Sequence, residues 1–106
     1  MEEIIAKLRQ FNADRDWEQF HDGKNLALAL SIEASELNEA FLWKTSSNVS
    51  VDKIKEELAD VFLCAFMLAD KYGLDVKEIC MHKIKINGEK YPVDKSKGVS
   101  LKYGIS

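Results

Sequence analysis

Apolar residues recur along most of this chain at intervals of three and four, the spacing that gives a helix one apolar face. In the first such segment, Ile4, Leu8 and Phe11 fall on the same side of a short amphipathic helix. No stretch alternates apolar and polar residues with the period of two that a half-buried strand requires. The predicted helices cover residues 2–13, about 24–43, about 51–72 and about 76–87.

Capping and breaking residues predict where these helices begin and end. The second, third and fourth helices are each preceded by a residue whose side-chain oxygen can accept a backbone N–H, namely Asp22, Ser50 and Asp75. Gly73 is placed to end the third helix in a left-handed conformation. Asn87-Gly88 is predicted to break the fourth helix, and Pro92 prevents its continuation. Between the first two helices, residues 15–23 are aromatic and polar without a period, which predicts a structured loop.

The pattern predicts an all-α fold, a four-helix bundle formed by one domain over residues 1–106, with a C-terminal tail over about 93–106. Residues 61–69 of the third helix run without a charge, so this helix needs neighbours on several sides. Four helices can hardly supply them all. We therefore expect oligomerisation to complete the bundle, as a homodimer or a homotetramer.

Composition narrows the possible partners. The 106 residues are 46% hydrophobic and carry a net charge of −3, so no basic surface is expected to bind a nucleic-acid polymer. Apolar runs stay well short of 18 residues, and the start of the chain lacks the form of a signal peptide, so we expect no membrane association. Cys64 and Cys80 fall within helical patterns and are expected to be free thiols. A cytoplasmic location is predicted.

Two pairs of acidic residues are the candidate chemistry. Glu33 with Glu36, and Glu57 with Asp60, are each spaced i, i+3, so both members of a pair share a helical face. Glu33 and Glu57 lie in or beside the apolar stripe of their helices, where an unpaired carboxylate is strongly destabilising. Four carboxylates on two helices most simply share a divalent cation, and oxygen ligands favour Mg²⁺ or Mn²⁺.

Magnesium bound by a few carboxylates keeps waters and often binds substrate phosphates, so a phosphate ester or anhydride is the expected substrate. A di-iron protein is the competing class, but it requires Glu-x-x-His on two helices. His21 lies in a loop and His82 follows Glu78 by four residues, which does not fit that motif. A third reading treats these acids as solvated or paired with lysines, as we expect for Glu39, Asp52, Lys53, Lys55 and Glu56.

The two acidic pairs, about twenty residues apart, belong to a longer pattern that covers roughly residues 8–103. Its segments are Arg15–His21, Asn25-Leu26, Phe41–Thr45, Glu56–Val61 and Lys83–Pro92. This pattern resembles the all-α nucleoside triphosphate pyrophosphatases, the MazG-like superfamily, and within it the dCTP pyrophosphatase branch. The resemblance implies Mg²⁺-dependent hydrolysis of a nucleoside triphosphate between its α and β phosphates, releasing a monophosphate and pyrophosphate in nucleotide-pool sanitation.

The resemblance also implies roles for individual residues. It implies that Glu33, Glu36, Glu57 and Asp60 bind the metal and that one of them helps to position or deprotonate the attacking water. By the same resemblance, flat side chains enclose a pyrimidine base, a role implied for Trp17, His21 and Trp43. Residues near the end of the fourth helix are implied to meet the triphosphate, namely Lys83, Asn87, Lys90 and Tyr91.

Two positions depart from the pattern of this branch. Leu8 stands where the branch has a histidine, and Cys64 stands where it often has a tyrosine. Both positions belong to the substrate pocket by resemblance, so the preferred base and sugar stay open. The alternatives are the same chemistry on dUTP or a broad set of deoxynucleotides, and a non-catalytic helical module that binds nucleotide.

Overall fold

The computed structural model describes residues 1–45 and 48–98. These residues form helices and turns, and no strand occurs among them, which confirms the all-α prediction. A single 3₁₀ turn, Glu18–Phe20, lies in the predicted aromatic loop. The helices are α1 (Glu2–Asp14), α2 (Gly23–Glu39), α3 (Val51–Lys71), α4 (Val76–Lys90) and the short α5 (Val93–Ser96).

The predicted helix starts are confirmed by hydrogen bonds. An Oδ1 atom of Asp22 accepts the amide N–H of Asn25 at 2.7 Å, and that of Asp75 accepts the Glu78 amide at 2.9 Å. Ser50 caps α3 in the same way, with its Oγ 3.3 Å from an amide nitrogen one turn later. These side chains satisfy backbone donors that have no partner within the helix.

Two predicted helix ends are wrong. α2 ends at Glu39, four residues before the predicted end, and the chain then turns so that Trp43 adopts a φ of +62°. α4 continues through Asn87-Gly88 to Lys90, because the backbone still forms helical bonds there and the Tyr91 amide donates to the Asn87 carbonyl at 2.8 Å. A glycine weakens a helix by only about 1 kcal/mol, so Pro92 is what ends it.

Two compact units divide the chain, one of residues Met1–Leu74 and a second beginning at Asp75. In the first unit α2 packs along α3, and α1 lies against α3. α2 and α3 run in opposite directions, since Leu26 lines one pocket with Met67 whereas Ala40 lines another with Lys53. The buried apolar core is small and consists of Leu26, Ala40, Val49, Cys64 and Ala69.

Polar contacts hold α1 on α3. Arg9 and Asp70 form a bidentate ion pair with two hydrogen bonds, one of which joins Arg9 Nε to Asp70 Oδ2 at 2.9 Å. The Arg9 guanidinium holds the pKa of the Asp70 carboxyl below its usual range. One turn along α1, the buried Asn12 amide donates to the Met67 sulfur at 3.3 Å. The docking of α1 therefore depends on specific side chains as well as on apolar burial.

The second unit contains α4 and α5, and most of its side chains are exposed. Residues 93–96 of the predicted tail form α5, while residues 99–106 lie outside the described part of the chain. Ser46 and Ser47 of the predicted polar loop also lie outside it. In the ranges 1–45 and 48–98, none of the helices is long and apolar enough to cross a membrane.

Candidate metal centre

Three of the four predicted carboxylates meet between α2 and α3. Glu33 and Glu36 project from α2 and Glu57 from α3, and each offers a carboxylate oxygen within 4.8 Å of the other two. The i, i+3 spacing places the first two on one helical face, and the packing of α2 on α3 brings the third to them. We call these residues the carboxylate trio.

Asp60, the fourth predicted ligand, lies one helical turn after Glu57 and is exposed. It is not among the three clustered acids, although its charge is close enough to contribute to raising the pKa of Glu33. Asp60 therefore stands at the edge of the trio. Its side chain would have to move before it could share a cation with all three.

The trio is electrostatically strained. A hydrogen bond with Glu36 is the largest cause of a raised pKa at Glu33, followed by burial and then by the charges of Glu36, Asp60 and Glu57. The two carboxyls can form that bond only if one of them keeps a proton. Carboxylates this close repel one another when all are ionised, so the cluster favours a bound proton or a bound cation.

Two oxygens of the trio lack partners. The Oε2 atoms of Glu33 and Glu57 are buried and accept no hydrogen bond, and the Glu57 residue is only 7% exposed. A buried acceptor without a donor is destabilising, so natural proteins rarely keep one without a role. An all-oxygen set with two vacant acceptors fits a hard divalent cation such as Mg²⁺ or Mn²⁺.

Lys53 is the partner of the remaining Glu57 oxygen. Its Nζ atom lies 2.7 Å from Glu57 Oε1, one helical turn along α3. The sequence predicted an ordinary surface ion pair for Lys53, whereas its partner in the structure, Glu57, is a member of the carboxylate trio. The i, i+4 spacing of Lys53 and Glu57 was the signal that could have identified it.

The predicted base-binding residues lie at different ends of α2. His21 lines a pocket of about 320 Å³ before the helix begins, together with Leu8, Leu26 and Met67. Trp17 packs edge-on against Phe11, with ring centroids 5.8 Å apart.

Trp43 follows the other end of that helix and is fully exposed, at 100%. The 17 residues of α2 span about 25 Å, so His21 and Trp43 of one chain are not brought together. Their joint role around a base stays a prediction.

The predicted triphosphate residues belong to the second unit. Lys83, Asn87 and Lys90 are exposed on α4, and their spacing of four and three places them on one face. Tyr91 follows the helix end, and the Lys90 ammonium lies 5.4 Å from the centre of its ring. This unit thus presents two lysines and an amide on one face, and their role toward phosphate stays a prediction.

Comparison with known proteins agrees with the resemblance found in the sequence. The sequence profile of the MazG-like family matches residues 28–104. dCTP pyrophosphatase 1 of Mus musculus is 36% identical over 111 aligned positions, which cover 97% of this chain and 65% of the relative. The Homo sapiens protein of the same name is also 36% identical, with the same coverage. The chain thus spans 65% of the length of these curated relatives.

A solved structure is similar as well. The crystal structure of a pyrophosphatase from Archaeoglobus fulgidus superposes with a TM-score of 0.77 at 35% identity, over 87% of this chain and 92% of that one. Sequence profile, relatives and fold agree with the resemblance inferred from the acidic pairs and their flanking motifs. The chain is similar to the dCTP pyrophosphatases named above, and it belongs to the MazG-like family.

Proposed function

We propose that this protein is a Mg²⁺-dependent nucleoside triphosphate pyrophosphohydrolase that cleaves a deoxynucleotide to its monophosphate and pyrophosphate. The observation that carries the proposal is the carboxylate trio, in which two buried oxygens have no partner. The relatives of this chain that are named dCTP pyrophosphatase 1 support dCTP, or a modified dCTP, as the favoured substrate.

The trio would hold the cation through Glu33, Glu36 and Glu57, with Asp60 able to join at the edge. When bound, Mg²⁺ supplies charge neutralisation at the phosphates and orients a water for in-line attack. The protein contributes carboxylates held on two packed helices. Any carboxylate oxygen left unligated in this cluster can accept the proton of the attacking water. Mn²⁺ has similar ligand preferences and would be expected to substitute.

Exposed flat side chains supply surfaces for a pyrimidine, and Trp43 is the most accessible of them. The α4 residues Lys83, Asn87, Lys90 and Tyr91 are proposed to meet the triphosphate. Hydrolysis of an unwanted deoxynucleotide would serve to clean or balance the nucleotide pool, in the cytoplasm.

Pyrophosphate release tests the proposal directly. We expect release from dCTP or 5-methyl-dCTP in the presence of Mg²⁺ and none in its absence. Glu57→Gln should lower the rate on the order of a hundredfold, the scale of removing one preorganised electrostatic contact from an active site. The neighbouring Glu56→Gln removes the same charge outside the trio and should leave the rate nearly unchanged.

The panel should include dUTP and the other deoxynucleotides. Equal release from all of them would replace the dCTP preference with a broad one and leave the reaction intact. Nucleotide binding without release from any of them, by folded protein with metal present, would point to the non-catalytic binding module. Full activity of Glu57→Gln would show that the trio is not the metal centre.

A further inference from the structure

A groove of about 500 Å³ adjoins the carboxylate trio where α2 ends and α3 begins. Glu36 and Glu57 of the trio line it together with Glu39, and Lys44 and Lys53 line the same space. A pyrophosphate group is small enough to enter a groove of this size. The groove therefore joins predicted metal ligands to two cations.

Lys53 differs from an ordinary surface lysine in its partner. Its side chain is 52% exposed, but the Glu57 carboxylate to which it binds is nearly buried and belongs to the trio. An ammonium group has three donors. Among the described residues only Glu57 takes one at hydrogen-bonding distance, so two donors are free to bind an anion.

The metal and Lys53 compete for the same carboxylate. A divalent cation bound by the trio would take charge from Glu57 and repel the ammonium 2.7 Å away from it. The lysine stem is flexible and its head is half-exposed, so the ammonium can swing toward the groove. There it would meet the negative charge that a metal-bound polyphosphate brings, a use for which lysine acts as a mobile point charge.

The opposite side of the trio suits phosphate poorly. Along α2, the glutamates of the trio lie between Leu26, which lines the 320 Å³ pocket, and Ala40, which lines the groove. Arg9 and Lys71 line that pocket, but Arg9 is already neutralised by the ion pair with Asp70, and no member of the trio is among the described residues that line it. The groove is the side on which cations and carboxylates of the trio line the same space.

We propose, on the basis of the proposed function, that Lys53 is a further residue that binds the pyrophosphate end of the substrate, in addition to the α4 residues proposed to meet the triphosphate. In the metal-free protein its ammonium holds Glu57. With metal bound by the trio, the ammonium turns into the groove and contacts the terminal phosphates, which leave as pyrophosphate.

Binding of inorganic pyrophosphate to the full chain tests this role. We would compare wild type, Lys53→Met and Lys55→Met at a fixed concentration of free Mn²⁺. Lys55 lies on the same helix and is exposed, so its variant removes the same charge outside the groove. Lys53→Met should bind pyrophosphate about tenfold more weakly, as expected for losing one charge-assisted hydrogen bond in a partly exposed site. Lys55→Met should match wild type.

Binding of Mn²⁺ alone, measured by calorimetry or electron paramagnetic resonance, gives an independent readout. Lys53→Met should bind Mn²⁺ as tightly as wild type or more tightly, because a competing cation is gone. Equal pyrophosphate affinity in the two variants would overturn the proposal. Weaker Mn²⁺ binding by Lys53→Met would also overturn it, since the lysine would then act only by shaping the trio.

The outcome is separable from that of the proposed function. Wild-type protein that binds Mn²⁺ and pyrophosphate but hydrolyses no nucleotide would contradict the hydrolase, and the comparison of variants could still be read. Active wild type with no difference between Lys53→Met and Lys55→Met would retain the hydrolase and exclude this role for Lys53.

Discussion

Glu33 holds its proton more firmly than an isolated glutamate, because it shares a hydrogen bond with Glu36 and lies near two further acids. A cation must displace that proton, so we predict that affinity for Mn²⁺ rises with pH through the raised pKa of Glu33 and levels off above it. The window lies above the usual glutamate pKa of about 4.3. Metal titrations at a series of pH values would measure it.

The same shift has a consequence for stability. With its pKa raised by folding, Glu33 binds a proton more tightly in the folded chain, so its contribution to stability is present at low pH and is lost as pH rises through that window. Glu33→Gln should flatten the pH profile of stability in metal-free protein, flatten the pH profile of Mn²⁺ affinity, and weaken Mn²⁺ binding. A pH profile of metal affinity that the substitution leaves unchanged would contradict the assignment.

Trp43 combines full exposure with a left-handed backbone, at a φ of +62°. Such a conformation is unfavourable for a bulky residue by about 1 kcal/mol or more, and no packing against residues 1–45 or 48–98 offsets it at Trp43. We predict that Trp43→Asn leaves thermal stability unchanged or slightly higher, since asparagine tolerates this conformation. Nucleotide affinity should fall about tenfold with the loss of a stacking surface. A loss of stability without a change in affinity would make Trp43 a structural residue.

At the scale of elements, two glycines, one inside α4 and one just after α3, give a matched pair of predictions about stability. Gly88 lies inside α4, and a methyl group added there would meet open space, so Gly88→Ala should stabilise the protein by about 0.5–1 kcal/mol through better helix propensity. Gly73, with a φ of +65°, also has room for a methyl group but ends α3 in the left-handed region. Gly73→Ala should therefore destabilise it by about 1 kcal/mol.

Denaturant unfolding of both variants would measure these changes. Because open space surrounds both positions, packing cannot explain opposite signs, and the backbone conformation is the remaining cause. Destabilisation by Gly88→Ala would indicate that this face of α4 is covered in solution by something that the single chain does not contain.

The buried apolar core of the described chain is small, which bears on whether the whole molecule consists of more than one copy. Large apolar side chains stay exposed on α3, among them Phe62 at 51%, and the same helix carries Glu57 of the trio. Within one chain, His21 and Trp43 are separated by the length of α2. A second copy that covers α3 would bury apolar surface and could bring Trp43 of one chain toward His21 of another.

We predict a homodimer or a homotetramer in solution, with an interface of at least about 1,200 Å². Light scattering coupled to chromatography would measure the mass. Phe62→Glu should shift the protein toward monomer, whereas Lys55→Glu, a substitution at an exposed polar site of the same helix, should not. A monomeric wild type at micromolar concentration would contradict this prediction and the proposed completion of the bundle.

Interactions between residues close in the sequence determine many of the helix ends and the acidic pairs of this protein, and the sequence alone was enough to predict them. Caps at Asp22, Ser50 and Asp75 and the stop at Gly73 act within one turn, so the sequence predicted those helix ends correctly. The i, i+3 pairs of acids were also visible, because helical geometry places them on one face whatever the surroundings. The family followed from these acids and their flanking motifs.

Tertiary structure decided what depends on contacts between elements. Only the packing of α2 on α3 places Glu57 beside Glu33, leaves Asp60 at the edge and buries the carboxylate to which Lys53 binds. The early end of α2 before Trp43 was likewise not visible in the apolar pattern, which runs on past Glu39. Helix caps act over a few residues, whereas burial and charge in the trio are set by side chains more than twenty residues apart, whose proximity exists only in the folded chain.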